Sequence, residues 1–177
     1  MKLYIVTGEP SGDLHAANLV HELKAANNSI KIRAWGGERL IAEGIELVRH
    51  IRDTAFMGLW DVLKNLNTIK QNLTYCKQDI LEYKPDAIIL VDYPGFNLKI
   101  AKFAKQYGIK VFYYISPKVW AWNRSRINKI KRYVDELLVI FPFEVNFYKE
   151  NGMEVTYVGN PLLDEISKGS FKFSYQT

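Results

Sequence analysis

The sequence predicts an α/β protein: a Rossmann-like, doubly wound parallel sheet with helices on both faces. Three observations carry this. Short runs of strand formers alternate with stretches whose apolar residues fall at helical spacing. The links between them are short and hold Gly, Pro, Asn or Asp. The run Ala87-Ile88-Ile89-Leu90-Val91 is continuously apolar, as a parallel strand buried on both faces requires.

The elements follow in order. Lys2–Val6 reads as the first strand, Thr7-Gly8-Glu9-Pro10-Ser11-Gly12-Asp13 as a turn, and Leu14–Leu23 as the first helix. Gly8 and Gly12 allow backbone angles that a side chain would forbid, and Asp13 or Ser11 can cap the helix. A helix N-terminus there suits an anionic or hydroxylic ligand. The turn is no dinucleotide fingerprint, because Pro10 holds the second glycine's place, and no P-loop, because no Gly-Lys-Ser/Thr follows. Lys31–Trp35 is the second strand, closed by Gly36-Gly37. Glu38–Glu43 is a short helix stopped by Gly44, and Glu46–Val48 a third strand. A long helix is expected over Leu59–Tyr83, with Val62, Leu66, Ile69, Leu73, Cys76 and Ile80 on one stripe and Pro85 ending it. The strand Asp86–Val91 breaks at Asp92-Tyr93-Pro94-Gly95. Then come a helix over Phe96–Tyr107, a strand over Lys110–Ile115, a helix over Arg124–Tyr133, a strand over Glu136–Phe141, a helix over Phe143–Asn151 and a strand over Glu154–Val158. Crossovers should be right-handed.

The composition narrows the function. The chain has 177 residues, 48% of them hydrophobic, enough for one good core. A net charge of +5 points to an anionic partner. Cys76 is the single cysteine, which excludes an internal disulfide and a cysteine-based metal site. His15, His21 and His50 lack metal-ligand spacing, there is no Gly-x-Ser-x-Gly elbow, and Ser11 has no evident base partner. No run approaches the length of a membrane span, and Leu3–Val6 is too short for a signal-peptide core, so a cytoplasmic or cytoplasm-facing protein is expected.

Ligands of such folds bind beyond the carboxyl ends of the strands, where strand order reverses. In the usual order the first and fourth strands are neighbours there, which sets Glu9 beside Asp92. Glu9 reads either as a solvated turn acid or as the partner of a neutral polar group such as a sugar hydroxyl. Asp92 ends an apolar strand, so desolvation and Glu9 should both raise its pKa, as suits a general base. The alternative is that Asp92 simply bonds backbone N–H groups of its turn. Asn97 more often caps a helix than binds a ligand. From Lys118 to Arg132 there are six Lys or Arg and no acid, with Trp120 and Trp122 in the loop. Such a patch fits a phosphate, an anionic membrane or nucleic acid. Lys129, Lys131 and Arg132 read as a solvated face, whereas Ser116, Trp120 and Arg124, at the edge with Asp92, are assigned to a ligand. Trp60 falls off the stripe of its helix, which fits either an apolar surface entering a bilayer, edged by Lys64 and Lys70, or a core or partner-facing role.

Gly8-Glu9-Pro10-Ser11-Gly12-Asp13, Gly36-Gly37-Glu38-Arg39, Met57-Gly58, Asp92-Tyr93-Pro94-Gly95-Phe96-Asn97, Ser116-Pro117-Lys118-Val119-Trp120-Ala121-Trp122, Pro142-Phe143-Glu144 and Val158-Gly159-Asn160-Pro161-Leu162 occur in this order. Together they resemble the N-terminal half of the bacterial lipid-A-disaccharide synthases, glycosyltransferase family 19. The resemblance implies one half of a GT-B fold: residues 1–166 as the acceptor-side domain, and 167–177 as the start of a linker to an absent UDP-binding domain. It implies transfer of 2,3-diacylglucosamine from UDP to the 6-hydroxyl of 2,3-diacylglucosamine 1-phosphate, a β-1,6 link and released UDP. Neither metal nor cofactor is implied. Asp92 and Glu9 match the family's important carboxylates. Ser11, Gly12, Asn97, Ser116, Trp120 and Arg124 are the expected substrate contacts, and Met57, Leu59, Trp60 and Leu63 the expected acyl or membrane contacts. The partners implied are the two sugar lipids, an anionic membrane at the cytoplasmic face of the inner membrane and a homodimer of the full-length protein, with no nucleic acid. Three departures stand out: Gly95 where many members carry Asp, Asn160 for a common His, and a chain ending at Thr177, which suggests a fragment or truncated product inactive alone. Two other readings remain open: a non-catalytic module binding anionic lipid, and a nucleotide-binding half of a nucleotide-sugar epimerase.

Overall fold

Seven of the apolar runs become strands: β1 (Lys2–Val6), β2 (Lys31–Gly36), β3 (Leu47–His50), β4 (Ala87–Val91), β5 (Lys110–Tyr114), β6 (Glu136–Val139) and β7 (Thr156–Tyr157). The computed structural model describes residues 1–53, 66–119 and 125–167. The strands form one sheet in the order β3-β2-β1-β4-β5-β6-β7, every neighbouring pair parallel. β1 and β4 are adjacent, with Tyr4 paired to Ile88 and Val6 to Leu90. Strand order therefore reverses at their carboxyl ends, as expected.

The helices are α1 (Pro10–Ala26), α2 (Glu38–Ala42), α3 (Leu66–Tyr83), α4 (Pro94–Gln106), α5 (Ser125–Tyr133), α6 (Pro142–Glu150) and α7 (Pro161–Ser167). Alternation along the strands sorts the core onto two faces. Tyr4, Val6, Ile88 and Leu90 pack with Cys76 and Ile80 of α3, Ile100 and Ala104 of α4, Ile127 and Ile130 of α5, and Tyr148 of α6. Leu3, Ile5, Ile89 and Val91 pack with Ala16, Ala17 and Val20 of α1 and Leu40 of α2. Each fully buried Leu, Ile or Val contributes about 1.5–3 kcal/mol.

Several boundaries differ from expectation. Helix α1 starts at Pro10, four residues before Leu14, because Pro at the first helical position has its φ preset and loses no needed N–H. β3 lies at Leu47–His50 rather than Glu46–Val48, and β6 and β7 are shorter than expected. On α3, Cys76 and Ile80 are buried as the stripe requires, but Asn72 and Asp79 are buried beside them. Partners explain both. Arg49 donates to Asn72 Oδ1 at 3.1 Å, while Asp79 accepts from Tyr4 Oη at 2.6 Å and pairs with Arg33 at 2.7 Å. The expected start of this helix, with Val62, lies outside the described residues.

Candidate active site at the carboxyl edge of β1 and β4

The chain leaves β1 through Thr7 and Gly8 and reaches Glu9, the exposed N-cap residue of α1, whose side chain makes no capping bond. Gly8 is a close approach. A Cβ there would stand 2.2–2.5 Å from Cγ, Cδ1 and Cδ2 of Tyr93, so the Tyr93 ring lies directly over it. Gly12 brings α1 against the sheet, where a Cβ would be 3.5 Å from Thr7 Cβ and 3.8 Å from Val91.

β4 ends in two consecutive left-handed residues, Asp92 (φ 44) and Tyr93 (φ 48). Non-glycine residues seldom adopt this conformation, and its cost must be met by surrounding bonds. Those bonds are present. The Asn97 amide nitrogen donates to the carbonyls of Asp92 (2.8 Å), Val91 (3.2 Å) and Val6 (3.4 Å). The Tyr113 hydroxyl donates to the Asp92 carbonyl at 2.5 Å, and Asp92 N–H donates to Tyr114 O at 3.2 Å. The ends of β1 and β4 are thus tied together under the half-buried Asp92 carboxyl.

That carboxyl titrates above its ordinary range. Burial is the main cause and the Glu9 charge adds to it; the Tyr93 backbone N–H and the Lys118 charge act in the opposite direction. The Tyr93 phenol is also raised by burial and by Glu9. Glu9, Asp92, Tyr93 and Lys118 therefore form one electrostatic group at the switch point. A carboxyl held up this way can accept a proton from a hydroxyl near neutral pH, and the exposed Glu9 can take a hydrogen bond from a second one.

Other expected residues have different surroundings. Ser11 is exposed on the first turn of α1, open to a ligand. Asn97 is fully buried, and its amide nitrogen holds strand-end carbonyls instead of capping α4. Ser116 is also buried, its hydroxyl shared with Pro117 O at 3.0 Å and Tyr148 Oη at 2.5 Å, so it joins β5 to α6. Asp13 is not the cap of its own helix. Its buried carboxylate accepts from the N–H groups of Gly37 (2.6 Å), Arg39 (2.9 Å) and Leu40 (3.4 Å), capping α2 from α1. Trp120, Arg124, Met57, Leu59, Trp60 and Leu63 lie outside the described residues. Sequence reasoning missed Tyr93 and Tyr113. The signal for Tyr113 was available: register pairs it with Leu90, beside the end of β4.

The sequence profile described as lipid-A-disaccharide synthetase matches residues 3–176. The chain belongs to the lipid-A-disaccharide synthetase family. A lipid-A-disaccharide synthase of Trichlorobacter lovleyi is 45% identical over 93% of this chain and 43% of its own length. Lipid-A-disaccharide synthase 1 of Legionella pneumophila strain Paris is 44% identical over 99% of this chain and 46% of its own. The chain thus spans less than half the length of the curated relatives it matches. Among solved structures, a UDP-GlcNAc 2-epimerase from Neisseria meningitidis, bound to UDP-GlcNAc, superposes with a TM-score of 0.69 at 13% identity, over 97% of this chain and 50% of that one. The glycotransferase of kitacinnamycin gives 0.61 at 13% identity, over 90% of this chain and 51% of that one. At such identities the likeness shows the fold alone: a GT-B-like Rossmann unit, as the family resemblance implied.

Proposed function

We propose that this chain is the acceptor-side half of a lipid-A-disaccharide synthase, with residues 1–166 as its domain and 167–177 leading toward a UDP-binding half. The observation that carries this is the raised Asp92 carboxyl beside Glu9, in a chain of this family, at the edge where ligands of such folds bind. Asp92 takes the proton of the acceptor 6-hydroxyl as its oxygen bonds to C1 of the 2,3-diacylglucosamine donor. The bond from C1 to UDP breaks on the opposite side and UDP leaves with the electron pair. Glu9 accepts a hydrogen bond from a sugar hydroxyl and holds Asp92 in its ionisation range. Ser11 and the backbone at Gly12 face the acceptor, and Trp120 and Arg124 contact the 1-phosphate or an acyl chain. Met57, Leu59, Trp60 and Leu63 meet acyl chains at the cytoplasmic face of the inner membrane. A homodimer belongs to the full-length protein. Among the described residues no helix is long and apolar enough to cross a membrane, which agrees with peripheral attachment.

The test joins this chain to the second half of a relative and measures UDP released from UDP-2,3-diacylglucosamine with 2,3-diacylglucosamine 1-phosphate as acceptor. Asp92→Asn should lower turnover by about a hundred- to ten-thousand-fold, the range of general-base catalysis, with folding intact. Near-normal turnover would remove Asp92 from the role. The 177-residue chain alone should not turn over, because transfer requires donor and acceptor held together. Tight UDP binding by this chain alone would instead favour the epimerase-like reading.

A further inference from the structure

The peptide plane between Asp92 and Tyr93 connects the Asp92 carboxyl to the buried end of β5. Both residues are left-handed, at φ 44 and φ 48, and such backbone persists only where its surroundings fix it. On the carbonyl side of the plane, two side chains converge on Asp92 O: the Tyr113 hydroxyl at 2.5 Å and the Asn97 amide nitrogen at 2.8 Å. On the other side, the Tyr93 N–H donates to the Asp92 carboxyl. A trans peptide is planar, with its C=O and N–H pointing in opposite directions, so holding the one aims the other. A continuous route therefore runs from Tyr113 Oη through the Asp92 carbonyl and the Tyr93 N–H to the Asp92 side chain.

The two donors differ in what they hold. Asn97 shares its amide nitrogen among the carbonyls of Asp92, Val91 and Val6, and so ties β1 to β4. The Tyr113 hydroxyl has one proton to give, and it goes to Asp92 O. Tyr113 is fully buried, so no substrate can touch it. Burial and the Asp92 charge push its phenol well above the ordinary range, with Tyr148 of α6 adding and Arg126 of α5 opposing. It is thus a neutral donor at every pH where Asp92 titrates. The charged groups acting on Asp92 itself are Glu9 at the start of α1 and Lys118 after β5.

We propose that Tyr113 is a positioning residue for Asp92, acting through the Asp92–Tyr93 peptide to keep the Tyr93 N–H on the carboxyl. Loss of its hydroxyl lets that peptide turn and weakens the N–H bond. That bond favours the charged carboxyl, so without it Asp92 ionises at higher pH. The link stands on bonds within the fold; its consequence for turnover rests on the reading of Asp92 as the base.

The test is a carbon-13 NMR titration of the Asp92 carboxyl in the 177-residue chain, wild type against Tyr113→Phe. The Asp92 pKa should rise by about 0.5–1 pH unit, the share of one N–H in a carboxylate held by two or three. Tyr4→Phe deletes another fully buried hydroxyl, one bonded to Asp79 of α3, and should leave the Asp92 titration in place. Unfolding midpoints of both variants separate a lost link from a loosened fold. The wild type supplies a measurement that needs no variant: the Tyr93 amide proton should shift with the Asp92 titration, and it decides if Tyr113→Phe does not fold. In the chain joined to a relative's second half, Tyr113→Phe should move the acid limb of the pH–rate profile up by the same amount. At fixed acid pH that is a loss of about three- to tenfold, restored at alkaline pH, with KM nearly unchanged. A wild-type hybrid that releases no UDP would sink the transferase reading and leave the titrations to decide the link. An Asp92 pKa that stays or falls in Tyr113→Phe, an equal shift in Tyr4→Phe, a Tyr93 amide blind to the Asp92 titration, or a rate lost equally at all pH would each overturn the proposal.

Discussion

Gly8→Ala should destabilise the fold by about 1–3 kcal/mol, the usual cost of overpacking a closed site, and Tyr93 should be the whole reason. The new Cβ would lie 2.2, 2.4 and 2.5 Å from three ring carbons of Tyr93, more than about 1 Å inside normal carbon contact. The ring cannot easily yield. The atoms struck are those nearest the backbone rather than a flexible tip. The ring stacks on Phe96 at 5.5 Å, and Asn97 N–H holds the Tyr93 carbonyl at 3.0 Å. Gly8 itself is not in the left-handed region, so alanine brings no backbone penalty. In a Tyr93→Ala background the same Gly8→Ala change should therefore be neutral, or stabilising by up to about 1 kcal/mol through the stiffer unfolded chain. Urea unfolding of the wild type, both single variants and the double variant gives the cycle, with an expected coupling of about 1–3 kcal/mol. If Gly8→Ala costs as much without the Tyr93 ring as with it, the steric argument fails.

Other expectations rest on separate parts of the structure. Asp13→Ala should cost about 2–4 kcal/mol, because it strips three N–H groups at the start of α2, those of Gly37 and Leu40 buried, of a charged acceptor, and thermal unfolding that shifts no more than for an exposed residue would contradict this. Asp92→Asn should stabilise the fold at neutral pH. Burial and Glu9 raise the folded carboxyl's pKa, so the folded state holds the proton more tightly than the unfolded chain, and ionisation lowers stability. That loss is absent below about pH 4, grows through the raised pKa and is complete above it, so the gain from Asn should disappear in acid; an equal gain at both pH values would refute the assignment. Gly95→Asp should be tolerated, with up to about 1 kcal/mol gained from a carboxylate in the first turn of α4, since a Cβ there meets nothing within 4 Å; a lower unfolding midpoint would count against it.

The sheet was legible in the sequence because apolar periodicity encodes it directly. The run at Ala87–Val91 reads as a strand covered on both faces, and the usual strand order of doubly wound folds places β1 beside β4, as observed. The neighbourhood of Glu9 and Asp92 followed from topology alone. The bonds between elements were not legible. Nothing local to Asp13 says that its carboxylate leaves α1 to cap α2, because that depends on the crossing of the two helices. Asn97 reads as a helix cap and Ser116 as a ligand group at the strand edge, and the family resemblance makes both substrate contacts. Here each is turned inward by a partner that no spacing rule reveals: the carbonyls of Val6 and Val91 for one, Tyr148 for the other. Tyr93 went unnoticed because its role is steric, and a ring over a glycine leaves no motif.

The carboxyl edge also concentrates strain. Asp92 and Tyr93 leave β4 with positive φ, and Ile115, a β-branched residue, leaves β5 at φ 64. Residues held in such conformations cost roughly 1–3 kcal/mol each, so a fold that needed only to close its loops would gain by placing glycine there. The restraints act on the backbone, where Asn97 and Tyr113 bind the Asp92 carbonyl and Ile115 N–H is held by Leu138 O at 3.1 Å, while the Asp92 carboxyl itself accepts from the Tyr93 N–H. The side chain that leaves this left-handed pair is half-buried, and its carboxyl feels the Glu9 charge. Backbone strain and the raised carboxyl thus coincide at Asp92, as is common where a fold builds a functional site.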